Sequence, residues 1–118
     1  MPRHKLPDRR MTLTTSVIHK TAAGHEEHHL ISVGFNNAGS VAEVFSANRM
    51  VGSDMHAIIA DGCILMSIYL QTGGELERLV RSLGENRQEG EQRGPASSVF
   101  GSIARKLLEI EREMVSDV

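Results

Sequence analysis

Residues 12–46, TLTTSVIHKTAAGHEEHHLISVGFNNAGSVAEVFS, decide the fold of this 118-residue chain. Three runs rich in β-branched residues are separated by two turn signals, TAAG ending at Gly24 and NNAGS around Gly39. Glycine and asparagine tolerate positive φ, so both interruptions favour tight turns between strands. The stretch therefore predicts a three-stranded antiparallel meander.

The pattern changes to helix after Gly52. Ser53 is the expected N-cap, with Asp54 in the first turn, and the helix that follows ends at Gly73. Apolar residues lie on nearly every side of this helix, so we expect it to be central and buried. A shorter amphipathic helix, ELERLVRSL, ends at Gly84.

A last helix begins after Ser98, its expected cap. Its apolar residues recur at alternating spacings of three and four: Phe100, Ile103, Leu107, Ile110 and Met114. This short heptad pattern predicts that the helix packs against its own copy in a homodimer, so that these residues form an oligomer seam. Arg105 or Lys106 would then lie near Glu109 or Glu113 of the partner subunit. The alternative is that the seam closes the core of the single chain.

These elements together predict an α+β fold, in which the meander is followed by a buried central helix, a short helix and a C-terminal amphipathic helix. Residues 1–10 read as a basic extended arm and residues 11–84 as the α+β core. Residues 85–97 are expected to be a polar, mobile linker, and residues 98–118 to be the C-terminal helix.

Composition narrows the classes of function. The formal net charge of −2 gives no strong nucleic-acid signal. The single cysteine, Cys63, excludes a disulfide within the chain and fits a reducing compartment, so we expect a cytoplasmic protein. No apolar run reaches the roughly 18 residues that span a bilayer, and the first ten residues lack the apolar core of a signal peptide.

The histidines of GHEEHH raise the question of a metal site. His25, His28 and His29 are the weak candidates, but adjacent residues of a strand point to opposite faces, so these side chains do not converge. We therefore favour a solvated hairpin tip with no metal and no cofactor. The alternative is a small metal-binding or enzymatic protein that uses this hairpin together with His56. Cys63 has no basic neighbour in the sequence, which favours a buried, inert thiol and no catalytic residue.

Four short motifs follow one another along the chain: KLPDRR at 5–10, AEVF at 42–45, SIYLQTG at 67–73 and GP at 94–95. In this order they resemble the TSCPD-type C-terminal domain of adenosylcobalamin-dependent, class II ribonucleotide reductases. In that family K-L-P-x-R-R leads into the strands, G-E-[IV]-F forms a strand after a turn, and S-x-x-L-Q-x-G ends a helix. The resemblance covers nearly the whole chain.

The departures from that family limit what the resemblance implies. PASSVF stands near the place of the Thr-Ser-Cys-Pro-Asp segment, and the chain has no second cysteine, so a metal site is not implied. A class II reductase also needs a barrel, a radical-forming cysteine, a redox cysteine pair and a cobalamin pocket, which 118 residues with one cysteine do not hold. A label of ribonucleoside-diphosphate reductase would therefore rest on similarity alone.

The resemblance implies a non-catalytic, stand-alone relative of that domain. We expect an accessory or regulatory module that binds a protein or nucleotide partner in deoxyribonucleotide metabolism, through the arm and the entrance of the long helix. The candidate ligand- or partner-binding residues are Arg3, Lys5, Arg9, Arg10, Glu43, Arg49, Ser53, His56 and Asp61.

Overall fold

The computed structural model describes residues 11–48 and 53–116. Three strands come first: β1 (Thr12–Lys20), β2 (Glu26–Phe35) and β3 (Val41–Ser46). Three helices follow: α1 (Asp54–Gln71), α2 (Leu76–Ser82) and α3 (Val99–Ser116). The α+β prediction is confirmed, including the order of its elements. The predicted arm lies outside the described residues.

The strands form one antiparallel sheet in the order β1-β2-β3. Gly24 and Gly39 adopt φ angles of 89° and 83°, which L-residues with a side chain rarely reach, and so permit the two turns. The predicted meander is confirmed. Between Gly34 and Phe35 the register of β2 against β3 shifts, which marks a bulge.

The hydrophobic core lies between one face of the sheet and the helices α1 and α3. Ile31 and Val33 at the centre of β2 are fully buried, and so are Ile103 and Leu107 of α3. Ile110 is 5% exposed, and Phe100 and Met114 pack against the same cluster. The heptad seam therefore closes the core of a single chain. We correct its assignment as an oligomer seam, because its central side chains, Ile103, Leu107 and Ile110, are not accessible to a second copy.

Helix α1 differs from its prediction as well. Ile59, Cys63 and Met66 are buried, but Leu65 on the opposite side is 67% exposed. The expectation of a central, buried helix holds for one side only, because α1 packs against β3 on that side and no described element covers the other side.

Two polar side chains of α1 seal the outer edge of β3. The hydroxyl of Ser67 accepts the N–H of Val44 at 2.9 Å and lies 3.0 Å from the carbonyl oxygens of Val44 and Cys63, to which it can donate. The amide of Gln71 donates to the carbonyl of Ala42 at 3.0 Å. Backbone groups that an edge strand would otherwise leave open are therefore satisfied from within the chain.

The segment between α2 and α3 is a folded loop rather than an open linker. Asn86 N–H donates to the Pro95 carbonyl at 2.8 Å, and the Glu85 carboxylate lies 3.0 Å from Arg105 of α3. Partial burial alone would raise the pKa of Glu85, but the Gly94 N–H and the guanidinium groups of Arg93 and Arg105 lower it below its ordinary value. This cluster of charges fastens the loop to α3.

Candidate functional site on helix α1

Helix α1 presents two apolar faces. The inner face packs on the sheet, while the outer face carries large apolar side chains that are 38–67% exposed. Residues three and four apart lie on the same side of a helix, so these side chains form one stripe. We define the α1 outer face by Ile58, Asp61, Ile64, Leu65 and Ile68, with Met55 at its N-terminal end.

A contiguous apolar surface of this kind is a candidate interaction site, because isolated exposed apolar residues are common but a whole stripe of them is not. Asp61 lies within the stripe and is exposed, and it forms no hydrogen bond or ion pair with the described part of the chain. Helix α1 contains Asp54 and Asp61 but no lysine or arginine. The outer face thus offers apolar contact with one negative charge.

The histidines of the β1–β2 hairpin do not form a cluster. His25 is exposed in the turn, and His28 and His29 lie on opposite faces of β2, as the alternation predicted. Their Nε2 atoms lie 3.9 Å from Glu26 and 3.5 Å from Glu27, respectively. Among the residues that the structure describes, no group of three or more histidines, cysteines and carboxylates could hold a metal ion.

His29 and His19 lie on the core side of the sheet. A distance of 3.5 Å is too long for a hydrogen bond, and the buried Nε2 of His29 has no other partner among the described atoms. His19 is buried, and its Nδ1 lies 2.8 Å from the hydroxyl of Ser102, which ties β1 to α3. Sequence reasoning did not single out His19, although it stands two residues after Val17 and so shares its core face.

Three further candidates have structural roles. The Ser53 hydroxyl accepts the N–H of His56 at 3.0 Å, which confirms the helix cap. His56 itself is half-buried in the first turn of α1. Glu43 is buried and lies directly over Gly34, where an added Cβ would come 2.5 Å from its Oε1 atom. Five candidates lie outside the described residues: Arg3, Lys5, Arg9, Arg10 and Arg49.

Cys63 lies on the inner face of α1 and is fully buried. Burial raises the pKa of its thiol from 9.0 to about 11. The thiolate is the reactive form of cysteine, so this residue is chemically inert at neutral pH. Its role is packing.

The motifs noted in the sequence now have physical roles. Ser67 and Gln71 of SIYLQTG seal the edge of β3, and Gly73 follows the helix with a φ of 97°. A family model described as the TSCPD domain matches residues 2–110. The chain belongs to the TSCPD domain family. No significant match was found among curated proteins or among solved structures.

The resemblance inferred from the sequence is confirmed at the level of the family. In this TSCPD domain the polar residues of the α1 motif bond the helix to β3, whereas no described element covers the outer face of the same helix. None of the helices that the structure describes has both the length and the hydropathy that crossing a bilayer requires.

Proposed function

We propose that this TSCPD domain is a non-catalytic accessory or regulatory module that binds a protein partner through the α1 outer face. The observation that supports this most is the exposure of Ile58, Leu65 and their neighbours on a helix whose other side already fills the core. Burying such a stripe against a partner removes apolar surface from water, which is the main driving force of association.

The chemistry of the face favours one kind of partner. An amphipathic helix laid along α1 would cover the apolar side chains, and a lysine or arginine in it would meet Asp61. A second α1 is less suitable, because this helix has two acidic residues and no basic residue. Antiparallel pairing of two such helices would provide no cation for either Asp61.

The other surfaces favour protein binding over nucleotide binding. A groove of about 760 Å³ between α2 and α3 is lined by four arginines, but three of them already face carboxylates. Arg93 and Arg105 lie 3.1 and 3.0 Å from Glu85, and Arg112 lies 3.0 Å from Glu77. These pairs weaken the attraction that the groove would exert on a phosphate group.

Catalysis has less support than binding. The one thiol of the chain is buried and neutral, and the hairpin histidines diverge from one another. A nucleophile needs a base within hydrogen-bond reach, and neither Cys63 nor the hairpin offers such a pair.

The link to deoxyribonucleotide metabolism in the cytoplasm is part of the proposal. It is supported by membership of the TSCPD family and by the resemblance of the motifs to the C-terminal domain of class II reductases. The catalytic chain of such a reductase is therefore the first partner to test.

The experiment measures binding of the purified protein to an immobilised class II reductase catalytic chain by biolayer interferometry. We expect Leu65→Glu to weaken binding by at least about tenfold, because it places a charge at the centre of an apolar interface. Asp61→Lys should also weaken it. Phe45→Gln is the matched control, since Phe45 is exposed on the other face of the sheet, and it should change the affinity less than about twofold.

Two results would contradict the proposal in different ways. Absence of binding at about 100 μM would remove the link to the reductase. Equal weakening by Leu65→Glu and Phe45→Gln would remove the α1 outer face as the binding surface.

A further inference from the structure

No described residue pairs with the outer edge of β1 over its nine residues. Met11 and Phe35 share a backbone hydrogen bond, and so do Thr21 and His25, which fixes the alternation of the ladder between them. The N–H and C=O groups of the even-numbered residues from Thr12 to Lys20 consequently point away from β2. In the described part of the chain no hydrogen bond satisfies them.

The sequence of β1 lacks the charges and prolines that prevent strand pairing at an edge. Edge strands are commonly protected by charges, prolines, bulges or a covering element. Of the nine residues in TLTTSVIHK, only Lys20, at the end, is a lysine, arginine or carboxylate, and the run has no proline or glycine. The opposite edge of the sheet, on β3, is sealed by Ser67 and Gln71. Of the two edges of the described sheet, only the β1 edge is therefore open.

We propose that β1 pairs with β1 of a second copy of this chain, antiparallel about a two-fold axis at Ser16, to form a continuous six-stranded sheet. This centre gives the longest ladder, with Thr12 opposite Lys20 of the partner subunit. Thr15 then faces Val17 of the partner subunit, and Thr14 faces Ile18 of the partner subunit. No like charges oppose each other, and two of the three threonines pair with β-branched residues, which suits an antiparallel sheet.

The surroundings of the edge suit a second copy. A groove of about 360 Å³ lies beside β1 and is bounded by Pro95 and by the charged side of α3. Lys106 and Glu109 line it, with 3.8 Å between their charged atoms. Because the second α3 would run antiparallel on the same face of the sheet, each Lys106 would have Glu109 of the partner subunit within reach. Ile18, which is 55% exposed in the single chain, would gain cover from the added strand.

The register can be tested by crosslinking through introduced cysteines. At the axis, Ser16→Cys would place the two Cα atoms about 5.5 Å apart. Thr14→Cys, on the same edge and also exposed, would place them about 14 Å apart. We expect a short thiol crosslinker to join Ser16→Cys chains and to leave Thr14→Cys chains separate. Cys63 is buried and stays unmodified in both variants.

A second test uses sedimentation velocity. Ser16→Pro removes only an N–H that points away from β2, so we expect it to stay folded by circular dichroism while the dimer Kd rises at least about tenfold. Ser16→Ala is the control and should remain a dimer. Leu65→Glu should remain a dimer too, which separates this inference from the proposed function. A monomeric wild-type protein at about 100 μM, or equal crosslinking at positions 14 and 16, would overturn the inference.

Discussion

Helices α1 and α3 both contain 18 residues and pack on the same face of the sheet, yet their apolar side chains are distributed differently around the helix. In α3 the large apolar residues turn inward, and Ile103 and Leu107 are fully buried. Its outer side carries charged residues such as Arg112 and Glu113. In α1 both sides are apolar, and only one of them meets the sheet.

This difference distinguishes apolar surface that completes the core from apolar surface that the described fold leaves exposed. A helix with one apolar side is satisfied by its own chain, whereas a helix with two apolar sides needs two layers to cover it. The described fold provides α1 with one layer. The remaining side is therefore the place where binding, rather than folding, should be sensitive to substitution.

The sharpest test of this contrast is Leu107→Glu. The substitution puts a carboxylate into a fully buried site without a partner, and we expect a loss of about 4 kcal/mol or more, enough to unfold a small domain. Circular dichroism and size-exclusion chromatography should show an unfolded or aggregated chain. A folded Leu107→Glu protein would mean that α3 is not a core helix.

The inner side of α1 is tested by Ser67→Ala. This change leaves the N–H and C=O of Val44 without their partner, so the free energy of unfolding should fall by about 1–3 kcal/mol. Ser82→Ala is the control, because the Ser82 hydroxyl bonds the Arg78 carbonyl on an exposed turn, and it should cost less than about 0.5 kcal/mol. Equal losses in urea denaturation would show that the sealed edge adds no stability.

Cys63 provides a pH-dependent test of the same side. Below pH 9.0 the thiol is protonated in both the folded and the unfolded chain. Between pH 9.0 and the folded pKa of about 11, the thiol loses its proton in the unfolded chain only. Stability should therefore fall as the pH rises through this window, by roughly 1 kcal/mol near pH 10. Cys63→Ala lacks this contribution, so its unfolding free energy should decline less between about pH 8 and about pH 10. Parallel declines would contradict burial of the thiol.

The smallest effect on stability is expected for Leu65→Glu. Leu65 is exposed in the single chain, so the substitution should change the free energy of unfolding by no more than about 0.5 kcal/mol. The melting temperature should therefore shift little. Thermal melts of this variant beside Leu107→Glu compare the two helices directly. A large loss would show that the α1 outer face belongs to the core after all.

Local signals in the sequence were sufficient to predict the strands and helices and where each of them ends. The Ser53 and Ser98 side chains accept N–H groups of their first helical turns, and Gly24 and Gly39 adopt the positive φ that the turns require. The apolar residues of α1 and the acidic Asp61 were also evident. What could not be predicted is the direction in which each helix faces, because this depends on how α1 and α3 share one side of a three-stranded sheet.

The roles of Ser67 and Gln71 were hidden for a similar reason. Two polar residues four apart on an apolar helix suggest a common partner, but that partner is the backbone of β3, whose register is set by pairing with β2. The same non-local dependence made the seam of α3 resemble a dimer interface when only its spacing was known.

The sealed edge of β3 also limits how far copies of this chain can grow by adding strands. A sheet with two open edges can recruit molecules indefinitely, as amyloid fibres do. Here Ser67 and Gln71 occupy one side, so a molecule that joins another through β1 presents no further template on the side away from the junction. If β1 pairs as proposed, strand addition ends after two chains, and the product is a dimer instead of a filament.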